Sequence, residues 1–503
     1  MSPAGGVLGP VADIPPRALQ AGQRALVQDL AWASLSGAFS GGVVLVAFAL
    51  ALGATPLQVG LLAAIPFVTQ AAQWPATLLV ERVRRRRLIG VTLLTLARLL
   101  LLAMALLPLL PSPRLALWAL LAAQALIALL HAVAGCAVNS WLHQLIPPSQ
   151  LGGFFARRLF WATALSCAGT LAAGALVARP ATATAAPLEA YALAFVAASL
   201  AGLVSSFHLA RAPEPQMREA GPVTGLAARL RAPLRDRNFR RVLVFLGAWT
   251  IASNLAVPFI AVFLMEQLDY PLGVVTRLWV VSQVANALTL VLWGRLSDRL
   301  TNKGVLAVAL PLHFGAMLAM VAVDGVADPG WRLALLHLLH VAMGVAAAGI
   351  GLGVGNLGLK LAPAANATAY LAAIGLVCAL GGGVAPVLAG ALAEAAATRE
   401  LSAVIRWNAP GGGGEFAVIG FAHWDFLFAA SALLGLYVMH ALSRVAEGRE
   451  VGEREVVQEF LLEGWRGLSQ LSSVAGNLGS LFPFERLGER RKWWRPRQRQ
   501  NRG

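Results

Sequence analysis

Charge is what this chain has least of. Only 13% of its 503 residues are Asp, Glu, Lys or Arg, while 58% are hydrophobic and the mean hydropathy is +0.69. A soluble globular chain carries about 25% charged residues, so most of this one does not face water. Cysteine is scarce as well. The three present, Cys136, Cys167 and Cys378, each fall inside an apolar run, which excludes a disulfide framework and a thiolate metal cluster. No Gly-Lys-Ser/Thr phosphate loop occurs, so nucleotide hydrolysis does not drive the protein directly. No nucleophile–base pair or metal-ligand spacing appears, which argues against an enzyme and leaves no cofactor to expect. The first 28 residues are polar and rich in Pro and Gly, without the basic start and short apolar core of a cleavable signal.

What remains is long apolar runs. A helix needs about 20 apolar residues to cross roughly 30 Å of hydrocarbon, and twelve runs meet that length. They lie near 29–52, 56–80, 88–110, 115–140, 157–179, 188–210, 240–264, 273–296, 304–323, 332–355, 366–394 and 421–443. Each is continuously apolar instead of alternating, which makes it a helix and not a barrel strand. The reading is an all-α membrane protein with two six-helix bundles, 29–210 and 240–445. A linker at 211–239 joins them, and tails at 1–28 and 446–503 flank them.

Lys and Arg set the orientation. With both tails in the cytosol, the tails and the even-numbered gaps hold most of the 40 basic residues. The odd gaps hold Arg114, Arg179, Arg332, Arg399 and Arg406. The net charge of +16 is then topology and attraction to anionic lipid, not a nucleic-acid footprint. Arg outnumbers Lys and Ala, Gly and Leu are heavily used, as in a GC-rich bacterial genome, so the expected location is a bacterial inner membrane.

One polar stretch after the eighth run reads Gly294-Arg-Leu-Ser-Asp298-Arg299-Leu-Thr-Asn-Lys303. A weaker copy follows the second run, Thr77-Leu-Leu-Val-Glu81-Arg82-Val-Arg84-Arg85-Arg86-Arg87. A third piece, Ile146-Pro-Pro-Ser-Gln-Leu-Gly152-Gly153-Phe-Phe-Ala-Arg157-Arg158, joins the fourth and fifth runs. Together with twelve runs in two halves, these pieces resemble the loop signatures of the major facilitator superfamily, the twelve-helix secondary transporters. The resemblance covers about residues 25–445 and departs from the usual pattern in carrying its better copy in the second half. It implies a small organic solute moved by two rocking halves of a monomer. The runner-up is a member of the same fold that assembles a membrane complex or acts as a sensor. A Gly-Pro run in the fifth helix, usual in proton-antiport exporters, is missing. A partial look-alike, Gly381 to Gly390, occurs in the eleventh run and reads as a packed kink.

Polar groups at mid-depth are functional candidates by default. The resemblance places helices 1, 4, 7 and 10 around a central cavity, which turns Gln124, His131, Trp249, Asn254 and His340 toward substrate, with Gln70, Gln283 and Asn286 flanking. For any single amide, a plain interhelical hydrogen bond is the competing reading. Arg98, on the peripheral third helix, reads as half of a structural pair, and Asp29 is the one inner-half carboxylate to propose for it. No carboxylate stands at mid-depth. If protons couple transport, His131 or His340 titrates in the right range; sodium coupling and uniport stay open. Asp298, with Gly294 and Arg299, is expected to latch onto the start of helix 5 near Arg157 and Arg158. Glu81 and Arg82 mirror that latch at the start of helix 11, near Asn366 to Thr368. The tail's Arg490-Arg-Lys-Trp493-Trp494-Arg495 reads equally as an anchor on anionic lipid or as a solubilising end.

Overall fold

The computed structural model describes residues 9–11, 14–147, 150–178, 188–217, 232–299, 301–363, 367–409, 412–448 and 458–460. Most of the linker, with its expected short helix at Leu226 to Leu234, lies outside them, as do Asn366 and the Arg/Trp cluster of the tail. So do the side chains of Gly152, Asp298 and Thr368. Eleven helices among the described residues are long and apolar enough to cross a membrane, and Pro56–Ala72 is a shorter twelfth. In chain order they are α1 (Pro16–Ala51), α2 (Pro56–Ala72, continued by Gln73–Val83), α3 (Arg86–Leu109), α4 (Pro113–Leu145), α5 (Leu151–Val177) and α6 (Glu189–Ala210). The second half comprises α7 (Arg237–Gln267), α8 (Leu272–Arg299), α9 (Asn302–Val321), α10 (Pro329–Leu361), α11 (Ala367–Ala396) and α12 (Asp425–Ser443).

Local chemistry sets where these helices start and bend. Thr55 and Gln58 form a reciprocal capping box at the start of α2, with Pro56 in the first turn, which satisfies two orphan amides. Pro66 then removes a ladder donor, and Thr69 bonds back to the carbonyls of Ile65 and Pro66. The helix tightens into a 3-10 turn at Gln70–Ala72, as such bends require. Helix α1 starts at Pro16, well before its apolar run. Its early turns are polar, but Gln23 and Asp29 on them are buried.

A feature absent from the sequence reading stands between α11 and α12. Strands β1 (Glu400–Ala409) and β2 (Gly412–Ala422) pair antiparallel along their whole length, with an irregularity at Ala403/Val404. The last apolar run therefore begins as strand, and its helix starts only at Asp425.

The end at which α1 begins and α12 finishes is called the base here, and the opposite end the tip. The halves meet mainly through α2 along α11 and α5 along α8. At the tip a single apolar cluster draws on both, including Phe48 and Leu52 of α1, Phe259 and Phe263 of α7, Leu278 of α8 and Ala389 of α11. Toward the base each cluster belongs to one half. Leu26, Trp141, Leu142 and Phe154 form one in the first, and Phe239, Leu243, Tyr370 and Ala373 one in the second. Among the described residues the halves are packed together at the tip and form separate clusters at the base.

Each half carries the same fastener at its base. Four residues beyond the end of α6, Glu214 accepts from the amides of Arg86 (2.7 Å) and Arg87 (3.1 Å), the first two residues of α3. Four residues beyond the end of α12, Glu447 accepts from the amides of Asn302 (3.2 Å) and Lys303 (2.6 Å), the first two of α9. Arg87 donates to the last carbonyl of α6, and Lys303 to the last carbonyl of α12. A carboxylate at a helix N-terminus is favourable by about 0.3–2 kcal/mol, most when buried. Burial raises the Glu447 carboxyl, but bonds from Lys303 N–H, Asn302 and Lys360 outweigh it and hold the group below its usual value. The stabilisation is thus complete above the ordinary carboxylate range, near 4.3, and shrinks as pH falls toward the lower folded-state value. Glu447→Gln should lower stability by about 1–2 kcal/mol at neutral pH. Melting curves of variant and wild type should converge as the medium is acidified toward pH 3; a gap that stays constant would contradict this.

Candidate functional site

Helix α1 is broken in mid-membrane. Its first segment ends at Ser40, Gly42 has φ +52°, and a second helical segment, Gly42–Ala51, begins there without a side-chain cap. Only glycine adopts that angle without strain. The break leaves the amides of Gly42, Val43 and Val44 without intrahelical acceptors, as at any helix start. Helix α7 breaks at the corresponding place. The interval separating Arg86 from Asn302, the starts of α3 and α9, also separates Gly41 from Val257, where Pro258 forces a 3-10 turn. Matched interruptions in two repeats mark the central site of such folds. The second break is plugged: Phe259 is fully buried and stacks on Trp424 at 5.7 Å.

The first break is open. One cavity of 340 Å³ runs along it, lined among others by Ser34, Ser36, Ser40, Arg98, Gln124 and His131. A second, of 300 Å³, shares Ser34, Gly37 and Gly41 and adds Gly42, Val43 and Val44 with Ser166, Thr170 and, across the divide, Trp279. Toward the base a larger cleft of 740 Å³ lies between α1 and α5, with Gln23, Arg24, Gln28, Trp32, Arg157 and Trp161 on its walls. Gln70 and Gln73, hydrogen-bonded to each other, line a further 550 Å³ between α2 and α11.

Three sequence candidates meet at the first break. Arg98 is 5% exposed, and its Nη1 stands 2.6 Å from His131 Nε2. His131 Nδ1 lies 2.8 Å from the Ile127 carbonyl and must donate to it. That bond fixes the tautomer: Nε2 is the acceptor, Arg98 the donor, and the imidazole is neutral. Gln124 lines the same cavity. The arginine threads past Gly202 of α6, where any Cβ would meet its Cδ at 2.3 Å, and its Nε has no partner. Asp29 sits one step toward the base, accepting from Ser205 at 2.7 Å and facing Arg158 at 3.7 Å.

The candidates of the second half are dispersed. Trp249 packs edge-on against His313 (5.1 Å) and Phe314 (5.9 Å), and Asn254 donates to the carbonyl of Thr250 one turn back. His340 is buried, with Nδ1 2.8 Å from the Leu336 carbonyl. Gln283 and Asn286 are half-buried and continue, at helical spacing, the stripe of α8 begun by Trp279. Among the gating candidates, Arg158 is engaged by Asp29 and Arg157 faces the cleft. Glu81 is half-buried, while Arg82 and Arg299 are exposed. A Cβ on Gly294 would meet nothing within 4 Å, so this conformation does not itself require glycine there. Sequence reasoning missed the Gly41-Gly42 break, Trp279, Glu214 and Glu447. A Gly-Gly pair inside an apolar run was the available signal for the first.

A family model described as the Major Facilitator Superfamily matches residues 30–386. The chain belongs to that superfamily. It is therefore a multi-pass membrane protein of a transporter family, not an enzyme. No curated protein matches in sequence. Solved structures with a similar fold include a bacterial homologue of the iron transporter ferroportin in an inward-facing state, at TM-score 0.61 and 14% identity, covering 86% of this chain and 99% of that one. The D-xylose–proton symporter is similar at TM-score 0.58, 14% identity and the same coverages. The nucleoside transporter NupG is similar at 0.57 and 12%, covering 86% of this chain and 100% of that one. Members with such different cargo share the architecture, so the architecture does not name a substrate.

Proposed function

We propose that this protein moves a small organic solute across a bacterial inner membrane by alternating access, as a monomer with its base in the cytosol. The observation that carries the reading is a fold shut by apolar packing at the tip, with a cleft toward the base and polar-lined cavities at the break in α1. With the basic loops in the cytosol, this is the inward-facing shape. An assembly factor or sensor of the same fold has no need of polar cavities at mid-membrane. Purified protein in lipid vesicles should accumulate at least one member of a solute panel above protein-free vesicles, with and without a pH or sodium gradient. Failure across the panel, with protein confirmed as folded and inserted, would favour the non-transport reading.

In the opposite, outward-facing shape the base must close. Asp298 is proposed to close it by facing the positive start of α5, an arrangement worth about 0.3–2 kcal/mol. Glu81 mirrors it more weakly at the start of α11, because its loop lacks the glycines. Asp298→Asn should then raise labelling of cavity cysteines from the cytosolic side and slow turnover, more than Glu81→Gln does. Labelling unchanged in the first variant and raised in the second would reverse the assignment.

A further inference from the structure

We propose that the break in α1 is a binding site for the carboxylate, or like anionic group, of the transported solute, with Arg98 as its balancing cation. The proposal rests on the transporter reading and narrows it to a substrate class. Four observations support it. The amides of Gly42, Val43 and Val44 open the ten-residue segment Gly42–Ala51 without a cap, and those three residues line the 300 Å³ cavity. An uncapped helix start concentrates about half a positive charge and binds anions through backbone N–H groups. The space beside them is free: a Cβ on Gly37 or Gly42 would meet no atom within 4 Å.

Charge balance is the second observation. Asp29 pairs with Arg158 at 3.7 Å and also attracts Arg98 through space, so one carboxylate serves two guanidiniums, and Arg98 has no carboxylate within 4 Å among the described residues. Two buried guanidiniums sharing one carboxylate leave an excess positive charge, which is costly, and an anion at the neighbouring cavity offsets it. His131 is third. Its fixed tautomer makes it an acceptor for Arg98, so it orients the guanidinium without adding positive charge or competing with the ligand. The fourth is asymmetry. The matched break of α7 is filled by Phe259 and carries Pro258, which has no N–H to offer. One anion site is built, in the first half, and Trp279 of α8 supplies an aromatic wall for the rest of the solute. A cavity of 300–340 Å³ suits a small solute.

The test uses the purified full-length chain at constant ionic strength. Thermal unfolding is followed with the sodium salts of acetate, lactate and benzoate and with the matching neutral amides. At least one carboxylate should raise the unfolding midpoint in a saturable way, while its amide does not. Arg98→Gln should weaken that carboxylate at least tenfold. Arg98→Lys, which keeps the charge and serves if the first variant fails to fold, should weaken it less, and Gly42→Ala should weaken it with Arg98 intact. Amides binding as well as acids would overturn the proposal, as would a carboxylate affinity unchanged in the Arg98 variants. So would no response to any of the three salts. In each case vesicle uptake of a neutral solute would leave the transporter reading standing, and absence of all uptake would fail that reading separately.

Discussion

Replacing Glu214 by alanine is expected to lower the stability of the protein by about 3–5 kcal/mol, the range for removing one partner of a buried ion pair. The side chains of Glu214 and Arg86 are both 0% exposed, 3.3 Å apart. Arg86 also donates to the carbonyls of Ser140 (3.2 Å) and Pro215 (2.7 Å), so it joins α3, α4 and the segment after α6. Without Glu214 the guanidinium stays buried and unneutralised, and two amides at the start of α3 lose their acceptor. The equivalent loss at Glu447 is smaller because its cationic partner, Lys360, is 53% exposed and water can take over. Denaturation of purified protein in detergent would measure both. The double variant Glu214→Ala/Arg86→Met should recover much of the loss, since removing both charges together removes the penalty. Comparable small effects at Glu214 and Glu447 would mean that the first pair is hydrated and the burial argument wrong.

The second large effect is expected at the tip, where α2 and α11 cross with almost no side chains between them. A Cβ on Gly60 would stand 2.2 Å from the carbonyl oxygen of Pro386, and one on Gly390 would stand 2.4 Å from that of Pro56. Beside this crossing, Glu394 of α11 accepts from the Leu57 amide at the start of α2, at 3.2 Å. Gly60→Val must push the backbones apart. Overpacking of this kind costs about 1–3 kcal/mol, or roughly a 5- to 150-fold change in the ratio of shut to open tip. Uptake should fall by roughly 5- to 150-fold, the size of that shift. A membrane-impermeant thiol reagent added on the tip side should reach Ser166→Cys, which lines the central cavity, in a background without the native cysteines. Gly315→Val is the control, since a Cβ there meets nothing. Equal uptake and equal labelling in both variants would show that the shut tip does not depend on this crossing.

Much of the fold was legible because apolar length alone reports a membrane span. What escaped follows from the same criterion. Hydropathy places Gln20 to Gln28 in a cytosolic tail, yet these residues belong to α1, and Gln23 among them is bonded to Gln150 at 2.7 Å. A window tuned to twenty apolar residues reads across Gly41-Gly42, because two glycines do not lower mean hydropathy enough to register as a break. It also passes over the hairpin, whose first strand is interrupted by Glu400, Ser402, Arg406 and Asn408 and whose second opens on Gly412, Gly413 and Gly414. At the site, depth along the helices picked out Gln124, His131 and Arg98, which do line one cavity. Depth says nothing about azimuth, however, and the ring of Trp249 turns into its own half against His313. Asn254 is occupied by its own helix. The role of Arg98 was hidden for another reason: a charge on a peripheral helix reaches the centre only because Gly202 of a different helix makes room for it.

The paired fasteners also bear on how the protein can deform. Glu214 joins α3 to the segment after α6, and Arg86 extends that joint to α4; Glu447 joins α9 to the segment after α12, and Lys360 extends that joint to α10. Each half thus has a stiff plate at its base. What the plates leave out is α1 and α7 with their mid-membrane breaks. A solute bound at the break in α1 would therefore act on a helix whose far segment, Gly42–Ala51, packs into the apolar cluster shared by both halves at the tip.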